Sequence, residues 1–190
     1  MEIALSWDLV VTIFFVMVMS YSYIVGLNGT VKIILSTYIA MLAANGIGNL
    51  AAKYIKLSEP LIKILSDDPN ENVVVFKIFI FVVITLLLVL RGGFSVDITR
   101  HNDSLLTRFV TNSVFGFLSA GLIMSIILVF LVGAGVDAST TVIQEALGLP
   151  DKTFFVRFLV RFYNFWFAAP AVAFVILSVI APRYTPVIEE

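Results

Sequence analysis

Apolar residues come in long unbroken runs, separated by short polar segments rich in Gly, Pro, Asn and charge. A helix that crosses about 30 Å of hydrocarbon needs roughly 20 mostly apolar residues. Runs over residues 9–27, 31–52, 73–90 and 109–132 meet that length, and 162–181 makes a fifth. None alternates with period two, the signature of a strand in a membrane barrel. The pattern predicts an all-α fold: a polytopic transmembrane helical bundle of four to five spans with short interfacial helices, one membrane domain over residues 1–190.

The breaks refine this reading. Gly26-Leu27-Asn28-Gly29 holds residues that tolerate positive φ and predicts a tight turn, which makes the first two spans a hairpin. Ser58-Glu59-Pro60 and Ser66-Asp67-Asp68-Pro69 read as helix starts, with a short interfacial helix over 61–65. Arg91-Gly92-Gly93 ends the third span and opens a polar loop to Arg108. Gly133-Ala134-Gly135 ends the fourth, ahead of an amphipathic stretch at 142–147. Over 154–161, Arg157, Arg161 and Asn164 share a face while Phe and Trp fill the rest. That is the composition of an interfacial helix, so Arg157, Arg161 and Trp166 are expected as interfacial anchors. Pro170 is expected to kink the fifth span. Lys77, one turn into the third, is expected to snorkel outward.

Composition removes the competing classes. The chain is 60% apolar and 13% charged, with a mean hydropathy of +1.05. A soluble domain is nearer half apolar and a quarter charged. Seventeen Phe residues exclude disorder. Twelve Lys and Arg against thirteen Asp and Glu leave no basic field for nucleic acid. With no Cys there is no disulfide framework and no thiolate chemistry. The apolar run after Glu2 is too long for a secretory leader and is followed by bulky Ser20-Tyr21-Ser22-Tyr23, so it reads as a retained helix. Lys and Arg divide seven against five between the two sides, too even to orient the bundle.

Helices in lipid associate through close packing and polar contacts. Ser36, Ala40, Ala44, Gly48 and Ala52 recur every four residues on the second span, and Gly116, Ala120 and Gly121 mark the fourth. These rows are candidate helix-packing or partner-docking positions. Asn45, Asn49 and Asn112 are the candidate polar lining of a cavity or pore, with interhelical hydrogen bonding as the alternative. Coupled transport usually needs an ionisable group at membrane depth, and no Asp, Glu or His lies in the middle of a run. Asp8 opens the first span, where a carboxylate suits the helix dipole. His101 is the single His and sits in a polar loop beside Asp103 and Ser104. A zinc site wants three or four ligands, so no metal, cofactor or catalytic residue is assigned.

Two segments carry a resemblance. In the first, Asp8 opens a span that leads through Gly26-Leu27-Asn28-Gly29-Thr30-Val31-Lys32 into the next. In the second, Asp103-Ser104-Leu105-Leu106-Thr107-Arg108-Phe109 precedes Gly116, Ala120 and Gly121-Leu122. Together they resemble the colicin V production protein (CvpA) family of small bacterial inner-membrane proteins, over roughly residues 8–132. The resemblance implies four family spans, with 136–190 as an addition. It also implies a role in envelope homeostasis or secretion, and a cytoplasmic side for the 26–32 hairpin and the 91–108 loop. The expected function is thus a non-enzymatic accessory or scaffold of the bacterial inner membrane. Its partners would be the lipid bilayer and another membrane protein or a second copy. The alternative is a small-solute permease component or pore, similar in size to the membrane subunit of an energy-coupling-factor vitamin transporter.

Overall fold

A computed structural model describes residues 7–54, 69–91, 105–131 and 154–180. All of them but Phe162, a turn residue, are helical: α1 (Trp7–Tyr54), α2 (Pro69–Arg91), α3 (Leu105–Leu131), α4 (Phe154–Arg161) and α5 (Tyr163–Ile180). Apolar runs become helices because a helix satisfies every backbone group within the segment, and lipid offers no other partner. Three helical stretches are long and apolar enough to cross a membrane: Asp8–Ala51, Val73–Arg91 and Leu105–Leu131. The bent pair α4–α5 makes a fourth if it is one span.

α1 is one hydrogen-bonded element in two limbs, 7–25 and 27–54, broken at Gly26 with φ 75° and ψ −177°. In a continuous helix, residues eight apart are about 12 Å apart along the axis. The hydroxyls of Ser22 and Thr30 are 2.6 Å apart, so the chain reverses here. The expected hairpin is present, and Gly26 alone makes the turn; Gly29 keeps negative φ inside the second limb.

α3 is the hub. It packs against α1, α2, α4 and α5, and 72% of its apolar window is buried, against 11% for Asp8–Ala51 and 6% for α2. Small residues on several faces make this possible, because each lets a neighbour approach closely. Two apolar clusters flank it. One joins the first limb to α3, α4 and α5 through Val11, Leu118, Leu128, Val156, Leu159 and Trp166. The other joins the second limb to α2 and α3 through Ile34, Ala40, Phe81, Leu122, Ile126 and Phe130, with Phe81 and Phe130 edge to face at 6.0 Å.

α4 and α5 meet at 66° around Phe162. The bend falls where the expected interfacial helix meets the expected fifth span, and α5 continues as helix through Pro170. A proline inside a helix crowds and unpairs the preceding turn. Tyr38 of α1 donates its hydroxyl to the Phe167 carbonyl in that turn at 2.6 Å, which stabilises a position that would otherwise be weak.

Candidate functional site

The second limb of α1 has two unlike faces. Ser36, Ala40, Ala44 and Gly48 are buried against the chain's own helices. Ile39, Leu42, Gly46, Asn49, Leu50 and Lys53 form the opposite, exposed stripe. Within it Gly46 leaves open space, with no atom within 4 Å of an added Cβ. Asn49 is exposed and its amide makes no hydrogen bond among the described residues. Asn45, at the border of the two faces, accepts a hydrogen bond from the Lys77 ammonium at 3.3 Å. Lys77 does not reach outward as expected. Its stem lies in the notch of Gly48, where an added Cβ would meet Lys77 Cγ at 2.4 Å, and the residue is buried.

A second polar cluster surrounds the Gly26 turn. Thr30 donates to the Gly26 carbonyl at 2.9 Å, and Asn112 Nδ2 donates to the Ser22 carbonyl at 3.1 Å. These side-chain donors add to the backbone pairing around the turn and tie α3 to it. Tyr23 bonds Ser113 through its hydroxyl and stacks on Phe109 at 5.3 Å. Gly116 is tight against Ser22, 2.8 Å from its Oγ to an added Cβ. An open cavity of about 280 Å³ lies beside the turn, lined by Tyr23, Gly26, Arg108, Thr111 and Asn112 among others.

The third cluster is built on α4. Asp8 caps this helix rather than only its own: its carboxylate accepts from the backbone N–H of Phe154 at 2.9 Å, Phe155 at 3.0 Å and Val156 at 3.5 Å. A helix N-terminus presents unpaired N–H groups and partial positive charge, and a carboxylate satisfies both. The signal legible in the sequence was an acid at a helix start; which helix it serves is a tertiary matter. Asp8→Ala is expected to lower stability by about 0.5–2 kcal/mol. Asp8→Asn, which keeps an acceptor, is expected to lose less. Thermal unfolding in detergent checks both, and equal losses would refute a capping role.

Trp166, expected at the membrane boundary, is 1% exposed. It sits against Gly121, where an added Cβ would meet its Cε3 at 2.0 Å. Phe117 at 5.3 Å, Phe165 at 5.4 Å, Phe158 at 6.0 Å and Phe15 at 6.3 Å surround it. The absence of a side chain at Gly121 is what draws the indole inward. Arg157 and Arg161 are exposed on α4, and the Arg161 guanidinium lies 5.9 Å from the Phe162 ring centre.

The three candidate lining asparagines are not brought together. Asn112 is at the Gly26 turn, whereas Asn45 is fifteen residues beyond Thr30, about 22 Å along the helix. Asn49 lies one turn further still. Ala120 is buried in α3, and Gly116 and Gly121 are each occupied by a side chain of this chain. The side chain of Ala52, the helix expected over 61–65, the amphipathic stretch at 142–147, and His101 with its neighbours lie outside the described residues. Among the described residues no three His, Asp or Glu cluster as a metal would require. No family model, no curated protein and no solved structure matches the chain.

Proposed function

We propose that this chain is an accessory or scaffold protein of the bacterial inner membrane that acts through helix–helix contacts with a second copy or another membrane protein. The observation that carries the reading is the pairing of open Gly46 and unpartnered Asn49 on the outward stripe of α1. The other small positions singled out and described, from Ser36 to Gly121, are covered by the chain's own helices. Gly46 lets another backbone approach, and the Asn49 amide gains an interhelical hydrogen bond, worth ~0.6 kcal/mol on average in membranes. The resemblance to the CvpA family supports the same kind of role. The permease reading lacks a lumen shared by the three asparagines.

Because the chain has no Cys, Asn49→Cys places one thiol on the stripe. Cross-linking in native membranes is expected to give one adduct of defined mass, and Gly46→Leu is expected to abolish it. Val179→Cys, on the exposed side of α5, is expected to give none. A chain that stays uncrosslinked at position 49 and purifies alone as a monomer would overturn the proposal.

A further inference from the structure

Three side chains with unused hydrogen-bond donors border the outward stripe of α1: Asn45, Asn49 and Lys77. Resting on the scaffold reading above, we propose that this stripe docks a transmembrane helix of a different membrane protein, one that carries an Asp or Glu whose carboxylate is received by the Lys77 ammonium and the amides of Asn45 and Asn49.

Gly48 places Lys77 for this. A Cβ added there would meet Cγ, Cδ and Cε of Lys77 at 2.4, 3.1 and 2.8 Å. The stem thus fills the notch, and Nζ passes beyond it to Asn45 Oδ1 at 3.3 Å. Going round the helix from Gly48, Asn45 comes after about 60° and Asn49 after about 40° more. Gly48 is buried, Asn45 half-buried and Asn49 exposed. The ammonium is therefore led out of the α1–α2 seam toward the stripe. It has three N–H donors, and only the bond to Asn45 uses one. Asn45 is engaged through its oxygen alone, so its own amide N–H groups are unused among the described residues, as are those of Asn49. A carboxylate is an acceptor with two oxygens and no donor, which suits a cluster made of donors. Open Gly46 lies beside it and lets the backbone that carries a short acidic side chain come close.

Depth selects the source of the acceptor. Asn45 lies six residues, about 9 Å, inside the end of the apolar stretch at Ala51. Lys77 lies four residues, about 6 Å, inside the start of the next at Val73. A lysine this near a boundary normally extends to it, but Lys77 bonds the deeper residue. Lipid phosphates lie outside the hydrocarbon, so the acceptor belongs to a protein. A cation at membrane depth is costly and is usually paired. The described acids of this chain are Asp8, which caps α4, and Glu71, which precedes the apolar stretch of α2. No Asp or Glu lies inside any apolar run, so a second copy brings none to this level.

Native membranes are treated with dicyclohexylcarbodiimide, an apolar reagent that condenses a carboxyl with a neighbouring amine. Mass spectrometry is expected to find Lys77 joined to an Asp or Glu in an apolar segment of another protein. Leu42→Cys, exposed on the same stripe and outside the donor cluster, reports docking separately by thiol cross-linking. Lys77→Gln is expected to lower that thiol adduct by about tenfold or more. Lys77→Arg, which keeps the charge but not the amine, is expected to retain the adduct and lose the amide link. Asn45→Asp supplies the acid from within the chain while keeping the contact to Lys77, so it is expected to lower the adduct with no loss of thermal stability in detergent. An undiminished adduct in Lys77→Gln and Asn45→Asp would overturn the proposal and leave the docking reading standing. So would equal loss in Lys77→Gln and Lys77→Arg, or an amide link to a second copy. No adduct from Leu42→Cys itself would overturn both.

Discussion

Gly121→Ala is expected to destabilise the bundle by about 1–3 kcal/mol, and Gly121→Leu by more, because the site is already filled. An added Cβ would stand 2.0 Å from Trp166 Cε3 and 2.3 Å from Cζ3. The ring has little room to retreat, since Phe15, Phe117, Phe158 and Phe165 surround it. Relief requires α5 to move off α3, which opens the cluster that ties α4 and α5 to the first limb. Thermal unfolding in detergent reads the loss. Trp166 emission, shifting to longer wavelength, reports whether the indole has become wet. Trp166→Leu supplies the decisive comparison. Truncating a buried Trp is costly alone, but in the Gly121→Ala background it also removes the clash, so the two changes should couple by about 0.5–3 kcal/mol. Strict additivity would show that Gly121 and Trp166 do not meet.

Gly26→Ala is expected to cost about 1–3 kcal/mol through the backbone alone. Its φ of 75° and ψ of −177° fall in a region that is essentially confined to glycine. Space is not the obstacle, because nothing lies within 4 Å of an added Cβ. Gly46 provides a matched control: it too has open space around it, but it is helical with ordinary φ. Gly46→Ala should leave monomer stability unchanged or raise it by up to ~1 kcal/mol through helix propensity. Straightening the turn is no escape. A continuous 48-residue α1 would be about 72 Å long, more than twice the hydrocarbon thickness. It would also pull apart the Ser22–Thr30 hydroxyl pair. A Ser22→Cys, Thr30→Cys pair should oxidise readily with Gly26 present and less readily once Gly26→Ala is added. If Gly26→Ala and Gly46→Ala behave alike, the turn does not depend on positive φ.

The two experiments separate kinds of glycine that look alike in a sequence. Gly26 is needed for its dihedral angles, Gly121 and Gly48 for the room they leave a neighbouring side chain, and Gly46 for neither within the chain itself. On the proposed scaffold reading, that last distinction is what sets the exposed stripe of α1 apart as a docking surface.

By itself the sequence determined the elements and their punctuation. Hydropathy and run length are local quantities, and the lack of water in lipid turns each long apolar run into a helix. The helices, the reversal at Gly26 and a separate short helix over 154–161 were all legible on that basis. Which way the helices face was not. Hydropathy separates core from surface only when the surface meets water, and here both the core and the outer faces are apolar. Trp166, aromatic beside two arginines, therefore read as a boundary anchor, although the vacancy at Gly121 takes it inside. Lys77 read as a snorkelling cation, although Gly48 and Asn45 hold it across α1. Asp8 read as a cap for its own helix, although its carboxylate also completes a helix 146 residues later in the chain. In each case the residue type announced a need for charge neutralisation, hydrogen bonding or space. The tertiary structure decided which distant segment meets it, because that choice depends on how the helices cross and not on any pattern within one of them.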